Sequence, residues 1–281
     1  MFSKNIGSKL SIDEVSISNG ELYTILTNKT AKGGKGSLVA VIKGTKTTDI
    51  NLVLDKIKEK QRQTVKEVTL DFCPSMETSI QASFPRAEIV ADRFHTQQLV
   101  SEAVQEQRIK LRWQAIEQEN KAVKKARKQK KIYHPKTYEN QDTKKQLLAR
   151  SRYLLFKTSS KWTESQRERA NILFKEFPKL KEAYNLSMIF RSFYEHGQTK
   201  QEAKNKLDLW YQKVNEKNIT SFITIANYIK IHEEKILNYF INRSTNASAE
   251  SFNAKLKGFR SLVRGVRDKA FFLYRISKIY G

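Results

Sequence analysis

Cysteine is almost absent from this chain: Cys73 is the only one in 281 residues. A single thiol excludes an intrachain disulfide and any cysteine-rich zinc module, and it fits a reducing compartment. Long apolar runs are missing too. Nothing approaches the ~18 consecutive apolar residues of a spanning helix, and the opening "MFSKNIGSKL" lacks the apolar core of a secretory signal. The expectation is a cytoplasmic protein with no membrane partner. Internal repeats are lacking, and low-complexity composition is confined to Lys121–Lys131. Acids are scarce relative to bases: 29 Asp plus Glu face 53 Lys plus Arg, a formal net charge of +24. Such an excess is suited to neutralising phosphates and releasing their counterions, so it points to a polyanionic partner, nucleic acid first. A basic globular protein without such a partner is the plainer alternative.

What is present is a core and a change of period. Hydrophobic residues make up 39% of the chain and aromatics 10%, enough for one large domain or two ordinary ones. "KLSIDEVSI" (9–17), "GELYTILTN" (20–28) and "GSLVAVIKG" (36–44) are short β-rich runs separated by Ser18-Asn19-Gly20 and by a loop containing Gly33, Gly34 and Gly36. Consecutive antiparallel hairpins are expected. The glycine loop is followed by a strand and no Gly-Lys-Ser/Thr, so a hairpin loop is preferred over a phosphate loop. Helical spacing then appears over 48–60, a strand over 65–72, a short helix from Pro74 to Phe84 and a strand over 87–94. Strands followed by helix, strand, helix, strand imply a mixed sheet with helices against it. From His95 the strand signal ends. A polar helix over 96–131 and helical stretches near 142–156, 163–176, 178–195, 199–215 and 219–240 form an all-α block.

Three acids sit where chemistry would use them. Asp13 lies mid-strand, where an acid is disfavoured, and Asp71 ends the run "VKEVTL" at the carboxyl edge of a strand, the usual ligand-facing edge of α/β sheets. Taken singly, each is equally consistent with an exposed strand acid or a turn cap. Glu250 is the third. Lys255, Lys257, Arg260, Arg264 and Arg267 follow it with no acid before Asp268. At 100° per residue, Phe252, Leu256, Phe259, Leu262, Val263 and Val266 fall about 120–240° from Glu250, while Asn253, Lys257, Arg260 and Arg264 fall within about 80° of it. The helix would pack through the apolar stripe and present one carboxylate, one amide and three cations together. A solvated amphipathic helix with Glu250 as an acid near its N-terminus, capped by Ser244, Thr245 or Asn246, accounts for the same spacing. Three carboxylates from separate elements would suit a two-metal phosphoryl-transfer site, because two divalent ions about 4 Å apart need hard oxygen ligands.

The order of these motifs resembles a known family. Asp13 in the first strand, "VTLDFCPSM" with Asp71, "AEIVADRFH", a long helical insertion and "NYFINRSTNASAESFNAKLKGFR" together look like the bacterial insertion-sequence transposases of the ISL-three family, over nearly the whole chain. The most specific pieces are "DRFH" and the Arg-Ser-Thr-Asn-Ala block around Glu250. The resemblance implies an α/β fold: a ribonuclease H-like mixed sheet core with a large all-α insertion before the last catalytic helix. It implies a DNA transposase that cleaves insertion-sequence ends and transfers strands into target DNA, with an Asp-Asp-Glu triad of Asp13, Asp71 and Glu250 holding two Mg²⁺ ions, or Mn²⁺ in their place. Asp92 and His95 match an auxiliary Asp-x-x-His element, with Asp92 the alternative second acid and His95 equally suited to a structural role. Asn253, Lys257, Arg260 and Arg264 are candidate DNA contacts.

Domain boundaries follow: residues 1–95 as the first part of the core, 96–240 as the insertion and 241–281 as the part completing the core. The implied partners are DNA (element ends and target) and further copies of the chain on DNA, in a nucleoid-associated bacterial setting. Related transposases usually carry an N-terminal zinc segment and helix-turn-helix. Here the first acid comes at residue 13, so end recognition by a separate polypeptide, or a truncated copy, is expected. A structure-selective nuclease and a non-catalytic DNA-binding remnant are the competing readings. His134, His196 and His232 stand alone without a second ligand at metal spacing. Trp113, Trp162 and Trp210 are expected to pack in the helical block, and Cys73 lacks an identifiable His partner for thiol chemistry.

Overall fold

Strand pairing orders the molecule. The computed structural model describes residues 1–18, 20–194, 199–262 and 268–281. Its elements run β1 Lys9–Ser18, β2 Glu21–Asn28, β3 Leu38–Lys43, α1 Thr47–Leu54, α2 Glu59–Arg62, β4 Glu67–Leu70, α3 Pro74–Ser83 and β5 Glu88–Ala91. They continue with α4 Arg93–Lys128, α5 Lys144–Arg150, α6 Glu164–Glu176, α7 Pro178–Ser192, α8 Lys200–Lys217 and α9 Thr220–Ile231. The last are α10 Glu233–Leu237, α11 Tyr239–Asn242, α12 Ala247–Leu262 and α13 Lys269–Tyr280. The sheet order is β3-β2-β1-β4-β5. β1 pairs antiparallel with β2, and β2 with β3, while β4 is parallel to both β1 and β5. This is a ribonuclease H-like mixed sheet, as the motif order led us to expect.

The chain forms two compact units, Met1–Thr96 with His232–Gly281, and Gln97–Ile231. Residues 232–240, grouped with the helical block by their period, pack in the sheet unit. The reason is a local break: the single helix expected over 219–240 divides at His232, and Asn238 on the far side donates to the Ile89 carbonyl of β5 at 2.9 Å.

Period-two alternation sorts the sheet residues. Leu10, Ile12, Leu26, Val68 and Leu70 join Ile50, Leu54, Met76 and Ile80 of α1 and α3 in one apolar core. On the opposite face Val15, Tyr23, Ile25 and Leu38 meet Phe252, Leu256, Phe272 and Ile276 of α12 and α13. Burial of side chains this size is worth about 1.5–3 kcal/mol each relative to exposure. The second core therefore fastens α12 onto the sheet after the whole insertion has intervened. Its apolar stripe stops short of the expected end: Phe259 packs against the core, but Leu262 is 83% exposed. Val263 and Val266 lie outside the described residues.

The β2–β3 connection contains a short 3-10 turn, Lys29–Ala31, and Gly33 at φ +74°. A Cβ at Gly33 would stand 2.9 Å from Lys255 Nζ, which donates to the Gly33 carbonyl at 2.9 Å. Glycine at this site thus serves backbone geometry and close approach. In the helical unit, buried Asp142 accepts from Arg150 and, at 3.0 Å, from Arg169. Trp210 is buried and donates to the Leu186 carbonyl at 3.0 Å. Trp113, by contrast, is exposed.

Candidate active site

Alternation also decides which polar groups share the α12 face of the sheet. In β1, Leu10 and Ile12 point to the α1/α3 side, so Ser11, Asp13 and Val15 point to the other. In β4, Val68 and Leu70 take the α1/α3 side, which sends Glu67, Thr69 and the next residue in phase, Asp71, toward α12. The register pairs Ser11 with Thr69, and Thr69 with Val90. Two residues further along each parallel strand lie Asp13, Asp71 and Asp92, on neighbouring strands about 4.8 Å apart. Three acids therefore meet at the carboxyl ends of β4 and β5, beside the middle of the longer β1.

Each carboxylate has defined partners. Asp13 Oδ1 accepts from the Glu14 N–H at 2.8 Å, and Oδ2 from the Asn253 side-chain amide at 2.7 Å. Burial, and next the neighbouring charge of Asp71, push the Asp13 carboxyl up to about 6, against the two hydrogen bonds that favour its ionised form. Asp71 Oδ2 lies 3.0 Å from His95 Nε2, and its Oδ1 is 3.5 Å from the Asn246 amide nitrogen. His95 is in turn shifted upward, chiefly by that hydrogen bond. Asp92 is 2% exposed and fully engaged: Oδ2 accepts from the N–H groups of Phe94 (3.1 Å) and His95 (3.4 Å), and Oδ1 from the Asn246 N–H at 2.9 Å. It thus caps α4 and fastens the residue preceding α12.

Ligand atoms of Asp71, Asp92 and His95 all lie within 4.8 Å of one another. Glu250 stands on the first turn of α12 outside that tight group. Its carboxyl is exposed yet raised, first by partial burial and then by the charge of Asp92, with Asp71 adding to it. The carboxylates of Asp13, Asp71 and Glu250, set around His95 and the fully engaged Asp92, make a hard-oxygen donor set suited to a divalent ion. Two further oxygens support that fit: Asn246 Oδ1 and Asn253 Oδ1 are buried with no hydrogen-bond partner among the described residues.

The remaining expected residues divide. Asn253 is 6% exposed and turned inward to Asp13, so its amide is committed to the protein rather than to an outside ligand. Lys257 and Arg260 line an open depression of about 270 Å³ with Ile17 and Ser261. Arg264 and His196 lie outside the described residues. The rings of His232 and Phe72 lie 5.2 Å apart at their centroids, tilted 50° to each other.

The contacts made by Glu67, Asn242, Ser244 and Asn246 escaped the sequence reading, which offered Ser244 and Asn246 only as helix caps. Glu67, 2% exposed, accepts from Ser244 and, at 3.0 Å, from Asn242, while Lys29 lies 3.4 Å away. Together with Asn246 on Asp92, these contacts hold the segment 242–246 to the sheet just before α12. A signal existed: Glu67 precedes Asp71 by two pleats, and Ser244 and Asn246 alternate within the motif block.

Fold and site together define the class: a ribonuclease H-like protein carrying an acidic cluster where its central parallel strands end. Residues 10–276 match the family model of the ISL-three group described as Transposase. The chain belongs to that transposase family, whose members act on DNA. No curated protein and no solved structure matches it. No helix among the described residues is long and apolar enough to cross a membrane.

Proposed function

We propose that the protein cleaves DNA at the ends of an insertion sequence and joins the freed end to target DNA, with Asp13, Asp71 and Glu250 as the metal-holding carboxylates. The observation that carries this reading is the meeting of Asp13, Asp71 and the Glu250-bearing helix at one sheet edge in a member of a transposase family. Mg²⁺, with Mn²⁺ as substitute, would supply charge neutralisation and activation of the attacking oxygen when bound. In the first step water breaks the phosphodiester at the element end and leaves a 3′-hydroxyl. In the second that hydroxyl attacks a target phosphodiester in line, forming one P–O bond as another breaks.

The chain's own groups have separable roles. Asn253 orients the Asp13 carboxylate. His95 holds Asp71 and offers a proton donor beside the cluster. Asp92 is a positioning residue, because backbone N–H groups of α4 and of Asn246 occupy both its oxygens. That occupancy favours Asp71 over Asp92 as the second acid of the triad. Lys257 and Arg260 would contact the DNA backbone at the rim. The active form is expected to be a homo-oligomer on DNA, with a separate polypeptide supplying end recognition if the chain alone does not bind the terminal repeats.

The test is a cleavage and joining assay on DNA carrying the element ends, with Mg²⁺ or Mn²⁺, resolved on denaturing gels. Cleaved and joined products that vanish in Asp71→Asn and Glu250→Gln are expected. Cleavage without joining would make the protein a structure-selective nuclease. Binding without cleavage under either metal would make it a catalytically inactive remnant, and full activity in Glu250→Gln would remove Glu250 from the triad.

A further inference from the structure

We propose that the outward face of α13 binds single-stranded DNA. The helix buries Phe272 and Ile276 in the core it shares with α12. Its opposite side places Phe271, Tyr274, Arg275 and Lys278 at i, i+3, i+4 and i+7, one continuous strip. Phe271 is 44% exposed and Tyr274 is 55% exposed, large apolar surface left in water on a helix that already has a buried face. A cation lies over one face of each ring and leaves the other face open: the Arg275 guanidinium is 5.9 Å from the Phe271 centroid and 5.8 Å from that of Phe259, and Lys278 Nζ is 5.4 Å from that of Tyr274. Among the described residues neither cation pairs with an acid, so both charges remain for an anion.

Aromatic rings interleaved with cations are the means by which proteins hold unpaired nucleic acid, bases stacking on the rings while the cations meet phosphates. A duplex offers its base faces only at its ends, so two exposed rings along one helix favour a single strand. The rings are about 5–6 Å apart at Cβ, a span of one to two nucleotides at about 3.4 Å each. Charge complementarity is general, given the net charge of +24. The buried side of α13 packs on the helix that carries Glu250: Phe259 of α12 and Phe272 of α13 stack with centroids 5.7 Å apart. The inference rests on the transposase reading for its choice of DNA, and on the two exposed rings for its choice of a single strand.

The measurement is fluorescence anisotropy of the full chain with a labelled oligodeoxythymidine and with a labelled duplex of equal length. Tyr274→Ala and Phe271→Ala are each expected to weaken single-strand binding about five- to a hundred-fold, with duplex affinity changed less than about two-fold. Tyr274→Phe should keep single-strand affinity, and Arg275→Gln with Lys278→Gln should flatten its salt dependence by about one to two charges. Equal losses on both DNAs, or no loss on either, would overturn the proposal. So would a change in sedimentation without a change in DNA affinity, which would make a second copy the occupant. Asp71→Asn should abolish cleavage and leave single-strand binding intact. If the wild-type protein cleaves nothing while the ring variants still lose single strands selectively, the chemistry fails and the strip stands.

Discussion

Asp13 is the most informative single residue because its environment works against its charge. Its carboxyl is raised to about 6 by burial and by Asp71. For a raised acid the folded state holds its proton longer than the unfolded chain does. The resulting contribution therefore falls as pH rises from about 4 to about 6, and above 6 the ionised group is a net cost. Removing the charge in Asp13→Asn should stabilise the metal-free protein by up to about 2 kcal/mol at pH 8. The gain should vanish near pH 4, as thermal melts at the two pH values would show. The same substitution should reduce cleavage about a hundred-fold or more, since several kcal/mol of charge stabilisation at 1.36 kcal/mol per decade is lost. Metal affinity, read by calorimetry, should fall below about pH 6 as Asp13 takes up a proton. Asn253→Ala removes the 2.7 Å donor to Asp13. It should move the acid limb of the pH–rate profile upward, an effect that simple loss of fold would not produce. Asp13, Asp71 and Glu250 stood out as candidates by type and position, whereas the bond from Asn253 to Asp13 did not. The wheel puts its side chain near Glu250 but is silent on which sheet residue it meets.

Among the elements, α12 decides whether the site exists. Two buried carboxylates, Glu67 and Asp92, hold the segment leading into it, and Phe252 and Leu256 hold the helix body. Asp92→Ala leaves the Asn246 N–H unpaired and uncaps α4. The expected cost is about 2–4 kcal/mol by urea unfolding, with cleavage lost well before the fold. Phe252→Ala should cost about 3–5 kcal/mol, because the ring is buried between α12 and the sheet. Strands and most helices were readable from their periods. The helix expected over 219–240 was not, since His232 interrupts a run whose spacing looks continuous, and α13 lacked a signal beyond the end of the α12 stripe.

At the scale of the whole molecule, charge and topology meet. A chain of +24 has to lose affinity for DNA steeply with salt: each neutralised phosphate contributes a slope of about −0.9 in log K against log salt. Anisotropy titrations across a salt series should give a slope of several units for duplex. The Lys257→Gln with Arg260→Gln variant should lower it by about one to two without altering the fold.

What the amino-acid order settled was everything that depends on backbone geometry over a few residues. That includes the hairpins, the pleat that puts Glu67, Thr69 and Asp71 on one face, the stripe of α12, and the family motifs themselves. What needed the tertiary structure was convergence. Asn253 bonds to Asp13 across 240 positions of chain, Ser244 to Glu67 across 177 and Asn246 to Asp92 across 154. No local period encodes such pairings. They arise only once the second apolar core has brought α12 back onto the sheet, which is why candidate acids could be picked out in the sequence and their partners could not.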